Sequence, residues 1–368
     1  MEIEMKIQIT NGMLTALIIS IVYPKAIGLT QGILAREVGG DMWLATCMAM
    51  VQGLFMMLLT VFIVRKTTGS NFIDQAQILV GKWGGKLVGL LLFLFFLGAF
   101  GGIMITYIYH FKDFFLPDAP VALLIIVALL VGLYSNYHGL EVIGRLALLG
   151  MFSVFALNFL VMIGSIKDFD MKQFLPVFQS GFWNTVWASR HNDTDWAIVT
   201  LMTAIILPMV KEKEKWGKSS AIGIIMGWFA ILMWPILESG IMSSEVTGQY
   251  IVACMQMARS AELGRFVRYE VLMIAFFAIP IFIQISMCLF CASHVSAQIF
   301  GLKSHKPTLI PVSLLLGGFG YWVVLDHTRA MDYLSQYWPP IALSIAYGLP
   351  ILLAVLGFLF RKKLRQAM

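Results

Sequence analysis

Charge is scarce in this chain. Aspartate, glutamate, lysine and arginine make up 12% of its 368 residues, while 59% are hydrophobic and the mean hydropathy is +0.84. Soluble domains carry about 25% charged residues. No polar stretch is long enough for a separate soluble domain, so one membrane domain over residues 1–368 is expected. Cysteine is equally sparse, at four residues: Cys47, Cys288 and Cys291 fall in apolar spans and Cys254 in a loop. Cys288-x-x-Cys291 has a redox or metal spacing, but its surroundings are lipid-like and no second ligand pair exists. These cysteines read as packing residues. There is no phosphate-binding glycine loop, no metal-ligand set and no nucleophile–base spacing in a workable frame. No enzyme, catalytic residue, metal or cofactor is therefore expected. The net charge of +6 does not point to nucleic acid, because the basic residues sit in short loops, where they set topology. No signal peptide is expected either, since the first apolar segment is long and no small-residue cleavage site follows it.

What the chain has is apolar length. A spanning helix needs about 20 mostly apolar residues. Ten candidates follow one another: 12–35, 42–64, 87–110, 119–134, 146–166, 180–210, 219–241, 271–300, 308–325 and 338–360. The fourth and ninth are short, the third and eighth long, the first and sixth interrupted. The halves 9–166 and 180–360 thus share a pattern of lengths, the weak symmetry of inverted repeats. The expected fold is an all-α polytopic membrane protein. Of the 26 lysines and arginines, 16 lie in loops on one side and 8 on the other, with Lys25 and Arg190 inside spans. That bias places both termini in the cytoplasm. The longest outer loop, 242–270, holds Ile251–Arg259, apolar on one face, which reads as a short interfacial helix.

The interruptions carry the functional signal. Tyr23-Pro24-Lys25 divides the first span into Met13–Val22 and Ala26–Ala35, because proline removes a backbone donor and clashes with the preceding turn. Lys25 then falls at mid-membrane, where a cation costs several kcal/mol without a partner or water (about 2.5–3.5 on insertion scales). The sixth span holds Ser189-Arg190-His191-Asn192-Asp193-Thr194-Asp195. Two placements are open: an outer loop, which leaves a span of only 196–210, or an unwound segment at the midplane. The break in the matching first span favours the second. Irregular backbone at that depth must line a cavity or be buried in protein. Two half-helix N-termini would then offer amides to an anion, with Asp193 or Thr194 capping a half-helix from Asp195. Lys25 would pair with Asp193 or Asp195, as a structural lock or as a charge pair that a solute or proton can open. The candidate ligand-binding residues are Tyr23, Pro24, Lys25, Ala26, Arg190, His191, Asn192, Asp193, Thr194 and Asp195.

Four further stretches carry a resemblance. They are Ala35-Arg-Glu-Val-Gly-Gly-Asp41 followed by Trp43, Val80-Gly-Lys-Trp-Gly-Gly-Lys-Leu-Val-Gly-Leu90, Gly139-Leu-Glu-Val-Ile-Gly-Arg145 and Leu207-Pro-Met-Val-Lys-Glu-Lys-Glu-Lys215. In this order and spacing the chain resembles the B subunit of spore germinant receptors, a family similar to the amino acid–polyamine–organocation transporters. The resemblance implies a five-plus-five inverted-repeat fold with helices 1 and 6 broken. It implies a nutrient sensor of the endospore inner membrane, working with a larger membrane A subunit and a C subunit lipoprotein. The germinant would be a small solute, often an amino acid, bound at the transporter-type site. The family usually has a small, Gly-Thr-like segment at the first break, where this chain has Pro24-Lys25-Ala26. The ligand could be anionic or unlike a simple amino acid, Lys25 could stand in for a coupling cation, or this copy no longer binds the usual ligand. A proton- or sodium-coupled amino acid permease and a scaffold with a vestigial pocket are the alternatives.

Other polar residues read more plainly. Glu238 ends the seventh span as a solvated rim residue or a gate. Gln284 lies four residues past Pro280 and could hydrogen-bond a carbonyl that the proline frees or cap a neighbouring helix. Glu141 and Arg145 suit a surface ion pair. Asn158, His110 and His294 read as packing or interface residues. Gly98, Gly101 and Gly102 suggest close helix approach in the third span, to a partner subunit or within the chain.

Overall fold

The computed structural model describes residues 8–66, 71–260 and 269–360. In chain order the helices are α1 (Asn11–Ile27), α2 (Leu29–Val38), α3 (Met42–Arg65), α4 (Phe72–Val80), α5 (Lys82–Phe114), α6 (Val121–His138), α7 (Leu140–Ser165), α8 (Phe182–Ala188) and α9 (Arg190–Ile206). They continue as α10 (Trp216–Met242), α11 (Ser244–Gln249), α12 (Ala253–Ser260), α13 (Tyr269–Phe300), α14 (Leu309–Val324), α15 (His327–Asp332) and α16 (Trp338–Leu359). Among the described residues, eight helical stretches are long and apolar enough to cross a membrane, one of them running from α2 through α3. α1 is a shorter apolar helix that leads into α2, and α8–α9 occupy the sixth expected span. The charged termini, and Arg265 and Arg268, lie outside the described residues.

Hydropathy sorts these helices into layers. A helix that is apolar all round belongs in the interior, and α1 buries every residue from Ala16 to Ile27. α9 buries everything from His191 to Ile206 despite its polar first turns. These two form the centre. α1 packs against α10, α7, α13 and α9. α6 instead leaves Leu123, Ile126, Leu130 and Tyr134 exposed, as suits a helix facing lipid.

Three expectations need correction here. The chain is helical straight through Tyr23-Pro24-Lys25, and the break comes four residues later at Gly28. Proline removes only one backbone bond, which membrane helices tolerate when neighbours pack around it; glycine, with no side chain, is where the path bends. The polar cluster 189–195 is neither loop nor unwound segment. α8 ends at Ala188, Ser189 is the joint, and α9 starts at Arg190, with the Asp193 amide donating to the Ser189 carbonyl at 2.9 Å. Most of its side chains, Asp193 excepted, find partners on other helices while the backbone stays helical. Ile251–Arg259 contributes α12, but Ala253, Cys254, Met255, Met257 and Ala258 are buried in protein and not laid on an interface. The glycines of α5 pack within the chain: Gly98 against Trp338, Gly101 against Phe319 and Gly102 against Leu334.

Candidate functional site

Gly28 joins α1 to α2 with φ −88° and ψ −98°, off the helical values. The His110 ring of α5 sits directly on it, leaving no room for a side chain. Around this joint the backbone is partly satisfied by side chains. Gln31 Nε2 donates to the Ala26 carbonyl at 2.8 Å, and the Gly28 amide reaches the Lys25 carbonyl at 3.3 Å. The first turn of α2 has no side-chain cap.

Lys25 lies one turn before this joint, 4% exposed. Its ammonium donates to Asp195 Oδ1 at 2.6 Å, Thr194 Oγ1 at 3.0 Å and Thr30 Oγ1 at 3.4 Å. Thr30 in turn donates to Asp195 Oδ2 at 3.2 Å. The three ammonium hydrogens thus have three acceptors, and both Asp195 oxygens are engaged. The carboxylate also lies beside the first turn of α2, where the helix dipole favours negative charge. Asp195 is therefore the partner of Lys25, and Asp193 is not. Thr194 caps nothing at Asp195, since α9 begins five residues earlier; its hydroxyl donates to the His191 carbonyl at 2.7 Å.

A second clamp joins α2 to α9 further along. Glu37, at the end of α2, takes both forks of Arg190, at 2.7 and 2.9 Å, and lies 2.8 Å from His191 Nε2. Arg190 also donates to the Trp187 carbonyl and stacks over the Trp187 ring. The start of α1 is tied to the far end of α9 as well. A lone β-bridge pairs Ile9 with Val210, and Asn11 Nδ2 donates to the Lys211 carbonyl at 2.8 Å. The first and sixth spans are thus held to each other at three levels, and among the described residues the fully buried ion pair is the one beside the break.

Comparison with known proteins now has a geometry to rest on. The family model described as "Spore germination protein" matches residues 8–318. The chain belongs to that family. Two Bacillus subtilis (strain 168) germination proteins are similar to it. Spore germination protein YndE is 24% identical over 95% of this chain and 96% of its own length. Spore germination protein A2 is 23% identical over 88% and 87%. Among solved structures, MHP1, a nucleobase-cation-symport-1 family transporter in a closed conformation with bromovinylhydantoin bound, aligns with a TM-score of 0.71. It has 13% identity, and the alignment covers 93% of this chain and 78% of that one. MhsT in complex with L-phenylalanine aligns with a TM-score of 0.61 at 15% identity, over 91% and 87%. The fold is the five-plus-five transporter type with its first and sixth helices broken.

Within this germination-family fold the remaining candidates divide. The Tyr23 hydroxyl donates to Asn158 Oδ1 at 2.5 Å and accepts from Trp234 Nε1 at 3.0 Å, so it fastens α1 to α7 and α10. Asn158 Nδ2 adds a bond to the Ala230 carbonyl at 2.7 Å. Pro24 and Ala26 are ordinary residues of α1. Asn192 Oδ1 accepts from Thr46 of α3 at 3.4 Å. Asp193 is buried with Oδ1 unpartnered. Glu238 does not reach water, and neither of its oxygens has a partner. Gln284 is buried with its amide oxygen unpaired, so it caps no helix through that atom. Glu141 and Arg145 form the expected surface pair at 2.6 Å. Thr30, Glu37, Gln31 and Trp234 were not legible as site residues. The departure read at Pro24-Lys25-Ala26 follows from placing the break there; the break itself falls at Gly28, with Thr30 two residues on.

Proposed function

We propose that this chain is a solute-sensing subunit of a spore germination receptor in the spore inner membrane, and that the solute acts where Lys25 meets Asp195. One observation carries this reading: the two interrupted spans are locked across their joint by a buried ion pair. Ionisable residues inside a membrane bundle mark functional sites by default, and a buried pair is weak evidence of stability in itself. Both charges are fully engaged, so a bound solute must exchange with existing bonds to α2 or α9. Exchange would free α1 from α9, and a change in the seating of those helices is a signal that a membrane A subunit and a C subunit lipoprotein can read.

The test is a germination dose response over amino acids, sugars and nucleosides, in spores carrying this chain with its matched partners. Lys25→Met/Asp195→Leu, which removes the pair without stranding a charge, should abolish or strongly shift the response at normal protein level. An unchanged response at normal level overturns the reading. Concentrative uptake by the reconstituted chain would instead make it a coupled permease.

A further inference from the structure

One ionisable side chain stands apart from both clamps. Glu238 of α10 is 0% exposed, and neither carboxylate oxygen meets a hydrogen-bond donor. Protonation does not resolve this, since a neutral carboxyl presents an O–H that itself needs an acceptor. Buried polar groups are almost always paired, and a lone buried carboxylate costs far more than an unpaired amide.

Packing locates the group. α10 runs parallel to α1: the Thr15 hydroxyl donates to the Ser219 carbonyl, Ile18 packs on Gly223, Val22 on Gly227, and Tyr23 bonds Trp234. The offset of 204–205 between the packed pairs carries Glu238, one turn past Trp234, beyond the end of α1 at Ile27. α1 presents the negative end of its dipole there. α11 and α12 close over the position. Thr247 Oγ1 donates to the Glu238 backbone carbonyl at 3.3 Å. α12 packs on α10, and its Cys254 Sγ is 3.7 Å from Nε2 of the same His110 that covers Gly28. Lys25 cannot serve as counter-charge, because its ammonium is taken up by Asp195, Thr194 and Thr30.

We propose that Glu238 is the counter-charge of a second interior site, which takes a small monovalent cation: an alkali ion or the ammonium end of a solute. An ion held by three His, Cys, Asp or Glu side chains is not the occupant, since among the described residues no such group forms. Neutralised by a cation, the carboxylate no longer pays for its burial, and the site would stiffen the joint from the α10 side as Lys25–Asp195 does from the α9 side.

The test is thermal unfolding of the whole chain in lipid nanodiscs. Sodium, potassium and ethylammonium chlorides are titrated in turn, with choline chloride holding ionic strength constant. Wild type should show a saturable rise in Tm, as mass action requires of a ligand that binds only the folded state. Glu238→Gln should lose the rise, and Lys25→Met/Asp195→Leu should keep it, which separates this site from the one above. A rise with alkali ions assigns an inorganic cation; a rise with ethylammonium alone assigns a solute amine. Should Glu238→Gln fail to accumulate, Glu238→Asp decides: half-saturation moved to higher concentration supports the proposal, and unmoved half-saturation overturns it. No saturable rise in wild type, the outcome if water alone serves Glu238, or an equal rise in Glu238→Gln, also overturns it.

Discussion

The two ion clamps on α9, one to α1 and one to α2, use similar chemistry in different surroundings. Lys25 and Asp195 are 4% and 2% exposed; Arg190 and Glu37 are 19% and 31% exposed. The outer groups can exchange each other for water with little change in free energy. The inner groups have no water to turn to, so separating them leaves two bare charges. Opening at Glu37 is therefore the easier step, whereas opening at Lys25 requires something that takes over its bonds. On the proposed function, approach of the solute would fall to the outer clamp and decision to the inner one.

The sharpest way to break that comparison is to strand a charge. Lys25→Met leaves Asp195 buried and unpaired and should destabilise the protein by about 3–5 kcal/mol. The checks are Tm in detergent and the amount of protein in the membrane. Lys25→Met/Asp195→Leu should recover most of the loss, because apolar replacement of a whole buried pair is often neutral. If the single variant is as stable as wild type, the inner clamp is no different from the outer one.

Much of the architecture was legible because hydropathy reads spans directly: α14 and α16 fall within a residue of the stretches expected for them. The site was only half legible. Pro24 and Gly28 lie one turn apart, and proline is the stronger sequence signal, so the break was read a turn early. Asp193 and Asp195 differ by two positions, which on a helix means nearly opposite faces, and only packing says which one meets Lys25. Glu37 lies 153 residues from Arg190 in the sequence, at a span end where charges are ordinary. Glu238 reads as a rim residue because hydropathy does not see α11 and α12 folding over it.

The joint itself should be the next most sensitive place. In Gly28→Ala the new methyl meets the His110 ring, and overpacking of this kind costs about 1–3 kcal/mol. Gly28→Ala/His110→Ala should regain part of it, so a double-mutant cycle on Tm should show coupling between the two sites. Additive losses would mean the ring does not hold the joint.

Tyr23→Phe should follow, at about 1–2 kcal/mol. The lost hydroxyl leaves Asn158 Oδ1 and Trp234 Nε1 one partner short, but the two remain bonded to each other at 3.0 Å. Because this triad lies on the α7–α10 side of α1, stability should fall while the germination dose response keeps its midpoint. A midpoint shift as large as that of the inner-clamp variants would draw Tyr23 back into the solute site.

The smallest effect belongs to the outer clamp. Glu37→Gln should change Tm stability by only about 0.2–1 kcal/mol, the range of partly exposed pairs. Arg190 keeps its bond to the Trp187 carbonyl and its place over that ring, so the loss is not a stranded charge. Salt should mimic the substitution: near 1 M the screening length falls to about 3 Å, and the gap between wild type and Glu37→Gln should close. A gap that persists undiminished at high salt, or one that rivals Lys25→Met, would mean Glu37 and Arg190 are shielded from water after all, and the division between an admitting clamp and a deciding one would fail at its outer member.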